Sequence, residues 1–520
     1  MGMVVEKMKK LHKTPAKRGE ALDGINRRAF LASVSAFAAA SGARPVHAAP
    51  KSGEMPAVPS GKPNLKVGIM SDTHVHDAGQ KEKLDLIRKV LRFFDDQKVD
   101  AVMMPGDIAY ELIESFETLA KTYFEIFPDD KGSDGRHVER LFITGNHDIE
   151  EWHYRRNKDK SIEWNVDQWR DTGFFLHREE TWERLFKEKY RPYFVKEVKG
   201  YKFLMRNFPD IYWRKEPWYV KEAFAEYGAM LAKERLFFYV QHEQPSDTVN
   251  SNFKLVPGSE WVAFGQTPGG EHARDILKNY PNCVSLTGHS HYPINDERSI
   301  WQNEYTAVHC GHMSGWCIVA PGRENSHEVL ANPPQEMPPF RFRDVHDFTI
   351  MSVYDDVIRF ERFDAQYDEK FEPDWVVPIG GKERPYSWKT RAEASKPPKF
   401  AKGAKITVKE IAEGKDRAGN KHPQIEVSFP QAASANGGDR AYDYSVRLEM
   451  QRGELKFTKD EKRVYSPNFA HSEKHEKEPV KCVFPRSVVP KGRCVRFVVT
   501  PYNCWLKAGE PLVSKNFHFN

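Results

Sequence analysis

Val67-Gly68-Ile69-Met70-Ser71-Asp72-Thr73-His74 is a short apolar run that breaks into residues able to hold a cation. The same change recurs along the next two hundred or so residues. Ala101 to Met104 leads to Gly106-Asp107, and Leu141 to Ile143 leads to Gly145-Asn146-His147-Asp148. Leu236 to Val240 ends in Gln241-His242, and Val284 to Leu286 in Gly288-His289-Ser290-His291. Between the first two runs, Leu84, Ile87, Val90, Leu91 and Phe94 recur at helical spacing, and Leu112, Phe116, Leu119 and Tyr123 do so between the next two. Strands alternating with helices predict an α/β domain with a largely buried sheet. Ligands of parallel sheets bind beyond the carboxyl ends of the strands, so these turns are expected to converge at one sheet edge.

The residue types suit a pair of divalent cations: carboxylate and amide oxygens with imidazoles, and no thiolate. Neighbouring cations repel, so a carboxylate must lie between them, and Asp107 is the natural bridge. Asp72, His74 and His291 are assigned to one ion, and Asn146, His242 and His289 to the other. Such a pair acidifies water and clamps the entering and leaving oxygens of an in-line displacement. His147, beside a ligand but not needed as one, is placed to protonate a departing alkoxide. Asp148 either orients that imidazole or caps the following turn. Gly106, Gly145 and Gly288 immediately precede candidate ligands, where the backbone must turn sharply or approach closely.

The ordered set DxH, GD, GNHD, H and GHxH, running from Asp72 to His291, resembles the calcineurin-like metallophosphoesterase superfamily. The resemblance covers roughly residues 65–380. It implies a four-layer α/β sandwich, two metal ions (manganese, iron or zinc) and hydrolysis of phosphomonoesters or phosphodiesters. Gly106-Asp107-Ile108-Ala109-Tyr110 also resembles the GDxxY of purple acid phosphatases, whose tyrosine binds ferric iron. Those enzymes usually lack a histidine where this chain has His74. His74 is therefore the expected ligand, Tyr110 lies behind it or near substrate, and the pure protein is expected to be colourless. His76 either reaches a substrate phosphate or faces solvent, and Arg155 and Arg156 either hold phosphate oxygens or lie on the surface. His309 and His312 either line the pocket or pack, while His471 and His475 read as a solvated turn.

The rest of the 520-residue chain organises around this domain. Residues 1–48 read as a twin-arginine signal peptide: Asn26-Arg27-Arg28-Ala29-Phe30-Leu31, an Ala-rich apolar stretch, then Val46-His47-Ala48. This makes the twin-arginine export machinery a partner and the periplasm the expected location. Residues 49–64 are a Pro-, Gly- and Ser-rich tether. Within the domain at 65–380, residues 150–220 form an insertion holding six of the 12 tryptophans, expected to pack its own core or to cap the site. A linker over 381–400 precedes a smaller all-β domain at 401–520, whose period-two runs suggest a fibronectin- or immunoglobulin-like sandwich. No window approaches the 18 apolar residues a membrane span needs. Of six cysteines none forms a CxxC pair, so they are either disulfide-bonded in an exported chain or buried thiols.

Charge separates the function classes. Residues 1–48 hold nine Lys and Arg against three acids, which leaves 70 basic and 71 acidic residues over 49–520. A mature chain so balanced lacks a nucleic-acid footprint and favours a small-molecule phosphoester substrate. The sequence thus leads to an exported dinuclear phosphoesterase, phosphodiesters slightly favoured. A phosphomonoesterase and a non-catalytic envelope- or glycan-binding scaffold are the alternatives.

Overall fold

The computed structural model describes residues 56–519 except 77, 150–171, 210–218, 232–234, 250–267, 316–344, 381–383, 416–418, 453–454, 475–476 and 490. The signal segment, Arg155, Arg156, Cys317, His475 and tryptophans 152, 164, 169, 213 and 218 lie outside the described residues.

The predicted apolar runs are strands β1 (Leu65–Ile69), β2 (Ala101–Pro105), β3 (Glu139–Ile143), β6 (Phe237–Val240) and β7 (Cys283–Thr287). They divide between two six-stranded sheets. The first runs β12-β11-β10-β1-β2-β3, with β1, β2 and β3 parallel. Antiparallel β10 (Asp347–Val353), β11 (Val357–Asp364) and β12 (Glu369–Pro378) complete it. The second runs β4-β5-β6-β7-β9-β8, with β5 (Tyr201–Arg206), β6, β7 and β9 (Thr306–His309) parallel. Antiparallel β4 (Tyr193–Val198) and β8 (Ile300–Gln302) form its edges.

Alternation along each strand explains why both sheets are buried on both faces. Val67, Ile69, Ala101, Met103, Phe238, Val240, Val284 and Leu286 point into one core shared by the two sheets. Their neighbours Val102, Met104, Phe237 and Tyr239 point outward, into the core beneath the helices. On the first sheet those helices are α1 (Lys81–Asp96) and α2 (Ile113–Ile126). The predicted face Leu84, Ile87, Val90, Leu91 and Phe94 of α1 is buried as expected. Helices α3 (Arg178–Phe186), α4 (Val220–Tyr227) and α5 (Pro268–Leu277) follow. The result is a helix–sheet–sheet–helix sandwich, the four-layer α/β arrangement expected above.

Much of the insertion is not a cap. Residues 193–206 form β4 and β5 of the second sheet, hydrogen-bonded to β6. Trp182 is buried between α2 and α3, with Phe186 at 4.6 Å and Tyr190 at 5.7 Å. The expected linker is packed: Tyr386 is buried with its hydroxyl accepting from Val376 N–H at 2.6 Å. Ser387 caps α6 (Trp388–Ala394) by accepting from Thr390 N–H at 3.1 Å.

Beyond it the chain is all β. A three-stranded sheet, β13 (Thr407–Lys415), β14 (Lys421–Phe429) and β17 (Val480–Pro485), faces a five-stranded one. The latter comprises β15 (Asp443–Arg452), β16 (Leu455–Tyr465), β18 (Cys494–Tyr502), β19 (Leu512–Val513) and β20 (Phe517–His518). Ile425, Val427, Phe484, Val446, Leu448, Phe497 and Val499 fill the space between them. The period-two runs fall on β13, β14, β15, β17 and β18, whereas β16 was not predicted. Cys283, Cys310, Cys482, Cys494 and Cys504 are free thiols. No helix among the described residues is long and apolar enough to cross a membrane.

Gly68 shows how closely α1 lies on β1: a Cβ there would stand 2.5 Å from the buried Phe94 ring. Gly68→Ala is expected to destabilise the protein by about 1–3 kcal/mol in denaturant unfolding. Gly61→Ala, in open space, should stay within about 0.5 kcal/mol; equal effects would contradict this packing.

Candidate metal centre

All five predicted turns leave the carboxyl ends of parallel strands. Three come from the first sheet (β1, β2, β3) and two from the second (β6, β7), so the donors meet where the two sheet edges adjoin. Two groups of buried donors result: Asp72, His74, Asp107 and His291, and Asp107, His242 and His289. Asp107 belongs to both. Asn146, the predicted amide ligand, brings its Oδ1 to 2.9 Å from His289 Nδ1 and so joins the second group.

The local backbone is unusual. Asp72, His74, Asp107, His289 and His291 all have positive φ, between 42° and 71°, a region that non-glycine residues rarely occupy. Hydrogen bonds hold these conformations: Asp72 N–H donates to Gly106 O at 3.1 Å, His74 N–H to Asp107 O at 3.0 Å, and Gly288 N–H to His242 O at 3.0 Å. The glycines before the ligands are there for closeness. A Cβ on Gly106 or Gly145 would collide with the His242 ring, and one on Gly288 with the Ser71 side chain and the Asp72 carboxylate.

Several donors are aimed by hydrogen bonds on their far side. His242 Nδ1 donates to Pro105 O at 2.8 Å, which turns Nε2 toward the site. Asp107 Oδ1 accepts from His147 N–H at 2.8 Å, freeing Oδ2, which lies 3.0 Å from His242 Nε2 and 3.6 Å from His74 Nε2. Both Asp72 oxygens accept from His289 N–H at 3.0 Å. His291 Nε2 stands 3.0 Å from Asp72 Oδ1 and 3.1 Å from His74 Nε2.

These residues fit cations. Asp107 Oδ2 and His242 Nε2 are buried and, despite their approach, neither forms a hydrogen bond. His74 and His291 turn two imidazole nitrogens toward each other, of which one at most can donate. A cation between such donors satisfies them all. The electrostatics agree. Burial opposes charge on Asp72 and Asp107, but adjacent imidazoles outweigh it and hold both carboxyls below the usual range: His291 and His242 for Asp72, His242 and His147 for Asp107. Burial likewise lowers His242, yet the charges of Asp107 and then Asp72 push it up to about 10. Burial holds His289 down at about 4, with His242 adding to the effect. The pocket thus demands positive charge while keeping His289 neutral, as a ligand must be.

The other predicted residues divide. The His147 ring lies edge-on to His74 at 5.0 Å and stacks on Tyr110 at 5.4 Å. Tyr110 also stacks on His76 at 4.0 Å, so Tyr110 and His76 pack beside His147, and it is His74 that faces the other donors. Asp148 does not orient the His147 imidazole. Its carboxylate accepts from the backbone N–H groups of Ile108, Ala109 and Gly145 at 3.1, 2.7 and 2.7 Å, the capping alternative. His309 packs, its Nε2 bonded to Tyr292 O at 2.9 Å. His471 is not in a solvated turn: it is buried, with Nδ1 at 2.8 Å from Asp364 Oδ2. Sequence reading missed Pro105 O and Ser314 Oγ, the latter 3.1 Å from His291 Nδ1. A backbone carbonyl and a lone serine leave no pattern to find.

Residues 65–293 match the calcineurin-like phosphoesterase family. No curated protein matches the chain. Similar solved structures include a dimetal phosphatase from Danio rerio, at 10% identity and a TM-score of 0.34, over 61% of this chain and 100% of that one. A purple acid phosphatase from yellow lupin, Lupinus luteus, shares 14% identity with a TM-score of 0.39, over 63% of this chain and 54% of that one. GAP50, the anchor in the inner membrane complex of Plasmodium, shares 11% with a TM-score of 0.34, over 62% and 90%. Similarities of this size carry no weight for substrate or activity. The residues that match this family, 65–293, are those that carry the donors gathered at the sheet edges.

Proposed function

We propose that the chain is an exported, dinuclear metal-dependent phosphoester hydrolase that prefers phosphodiesters. The observation that carries this reading is the Asp107 carboxylate shared by two buried donor groups. Asp72, His74 and His291 would hold one ion, and Asn146, His242 and His289 the other. When bound, such a pair acidifies water and offsets charge on a phosphoryl group. The chain's own residues do the rest. Buried turns keep solvent from the donors, and Pro105 O fixes the His242 tautomer. His147, held by its backbone bond to Asp107 and stacked on Tyr110, gives a proton to the departing alkoxide. The preference for diesters rests on the DxH and GNHD arrangement, which resembles that of many phosphodiesterases. Export rests on Arg27-Arg28 and the apolar stretch after them.

Protein loaded with manganese, zinc or iron is expected to hydrolyse bis(p-nitrophenyl) phosphate faster than p-nitrophenyl phosphate, and to stop when a chelator removes the metal. Absence of turnover on both under every metal would defeat the reading. His147→Ala is expected to cut kcat by about 10²–10⁴-fold on an alkyl phosphoester, whose leaving group needs a proton. It should cost far less on a p-nitrophenyl ester, whose leaving group does not. Equal losses on both would remove His147 from the acid role. Replacing Arg27 and Arg28 by Lys should hold the chain, with its first 48 residues, in the cytoplasmic fraction of the host; unchanged export would exclude the twin-arginine route.

A further inference from the structure

We infer that Ser314 and His312 are positioning residues that fix the tautomer of His291, and through it the hold of the Asp72, His74, Asp107 and His291 group on its ion. This rests on the dinuclear reading proposed above. His291 Nε2 faces the other donors, 3.0 Å from Asp72 Oδ1 and 3.1 Å from His74 Nε2. To act as a ligand it must be bare, so the ring proton belongs on Nδ1. Nδ1 lies 3.1 Å from Ser314 Oγ, which must accept that proton's hydrogen bond.

A hydroxyl has one hydrogen to give. A second side-chain contact of Ser314 Oγ is His312 Nδ1, at 2.9 Å. With Ser314 accepting from His291, its own hydrogen goes to His312, whose Nδ1 is then bare and whose proton sits on Nε2. The reverse direction has the opposite effect. If the hydroxyl donated to His291 Nδ1, the proton would sit on Nε2, against Asp72 Oδ1, and block coordination. His312 is therefore the acceptor that turns the serine hydroxyl the right way.

The surroundings leave the pair little freedom. His291, His312 and Ser314 are 2%, 0% and 9% exposed. The rings of His291 and His312 are parallel to within 5°, with centroids 5.2 Å apart. Backbone bonds flank both residues: Asp347 N–H donates to His312 O at 2.7 Å, and Met313 N–H to Ser71 O at 2.8 Å, next to the ligand Asp72. His312 Nε2 is buried without a hydrogen-bond partner among the described residues. A buried imidazole so poorly satisfied is unfavourable for packing alone, and among the described residues its side-chain hydrogen bond is the one that orients Ser314.

The test uses full-length protein, with metal content measured by mass spectrometry after dialysis and affinity by chelator competition with zinc or manganese. Ser314→Ala is expected to weaken one of the two ions by about 10–100-fold and leave the other unchanged, while Ser314→Thr, which keeps the hydroxyl, restores wild-type affinity. His312→Phe keeps the flat ring against His291 but removes the acceptor; it should weaken the same ion by a smaller factor. A purely packing role predicts no change for His312→Phe. Both ions at wild-type affinity in Ser314→Ala and His312→Phe would overturn the inference alone, and the second variant serves if the first does not fold. A wild-type chain that takes up no ion would overturn the dinuclear reading and this inference together.

Discussion

Asp72 and Asp107 are carboxylates with no exposed surface, and their charge constrains everything else at the sheet edge. An uncompensated buried charge costs several kcal/mol even after relaxation. The chain surrounds these two with imidazoles and backbone N–H groups, and the field they create holds a proton on His242 up to about pH 10. That proton occupies the position a divalent cation would take. Neutral His289 and the buried Asp107 Oδ2 facing His242 are consequences of the same demand for positive charge.

The demand reaches beyond the ligands. Residues 292–299, which leave His291, are held from several sides. Ile294 N–H donates to Asp347 Oδ2 at 2.9 Å, and Arg362 donates to Ile294 O at 2.6 Å. The C-terminal β region supplies the rest: Asn295 Nδ2 donates to His471 O at 2.8 Å, and the Arg298 guanidinium lies 4.9 Å from the centre of the Tyr442 ring. His471 in turn bonds Asp364 of β11. Five candidate ligand residues with positive φ persist only where their surroundings over-determine them. The second pair of sheets is part of those surroundings, and so is more than an appendage on a linker.

The expectations that failed did so for identifiable reasons. β4 and β5 carry an aromatic-rich, mixed-charge sequence, and β4 sits half-buried at a sheet edge, where neither alternation nor a continuous apolar run is required. β16 holds Lys459, Asp460, Glu461, Lys462 and Arg463 on another sheet edge, exposed or half-buried, and so has no apolar period to read. His471 lies among charged residues in sequence, yet a partner 107 positions away buries it.

By itself the sequence determined the donor set and the strands that deliver it. Alternating burial and glycines before ligands are local demands, written in neighbouring residues. Asp72, His74, Asp107, Asn146, His242, His289 and His291 could therefore be named as candidate donors from residue order alone. Only the tertiary structure decided which atoms of those residues meet. Positive φ, the choice of Nδ1 or Nε2, and the service of Pro105 O, Ser314 and His312 depend on groups brought close by sheet pairing across gaps of 20 residues or more. Hydrogen-bond direction is a property of neighbours in space, and the order of residues along the chain does not encode it directly.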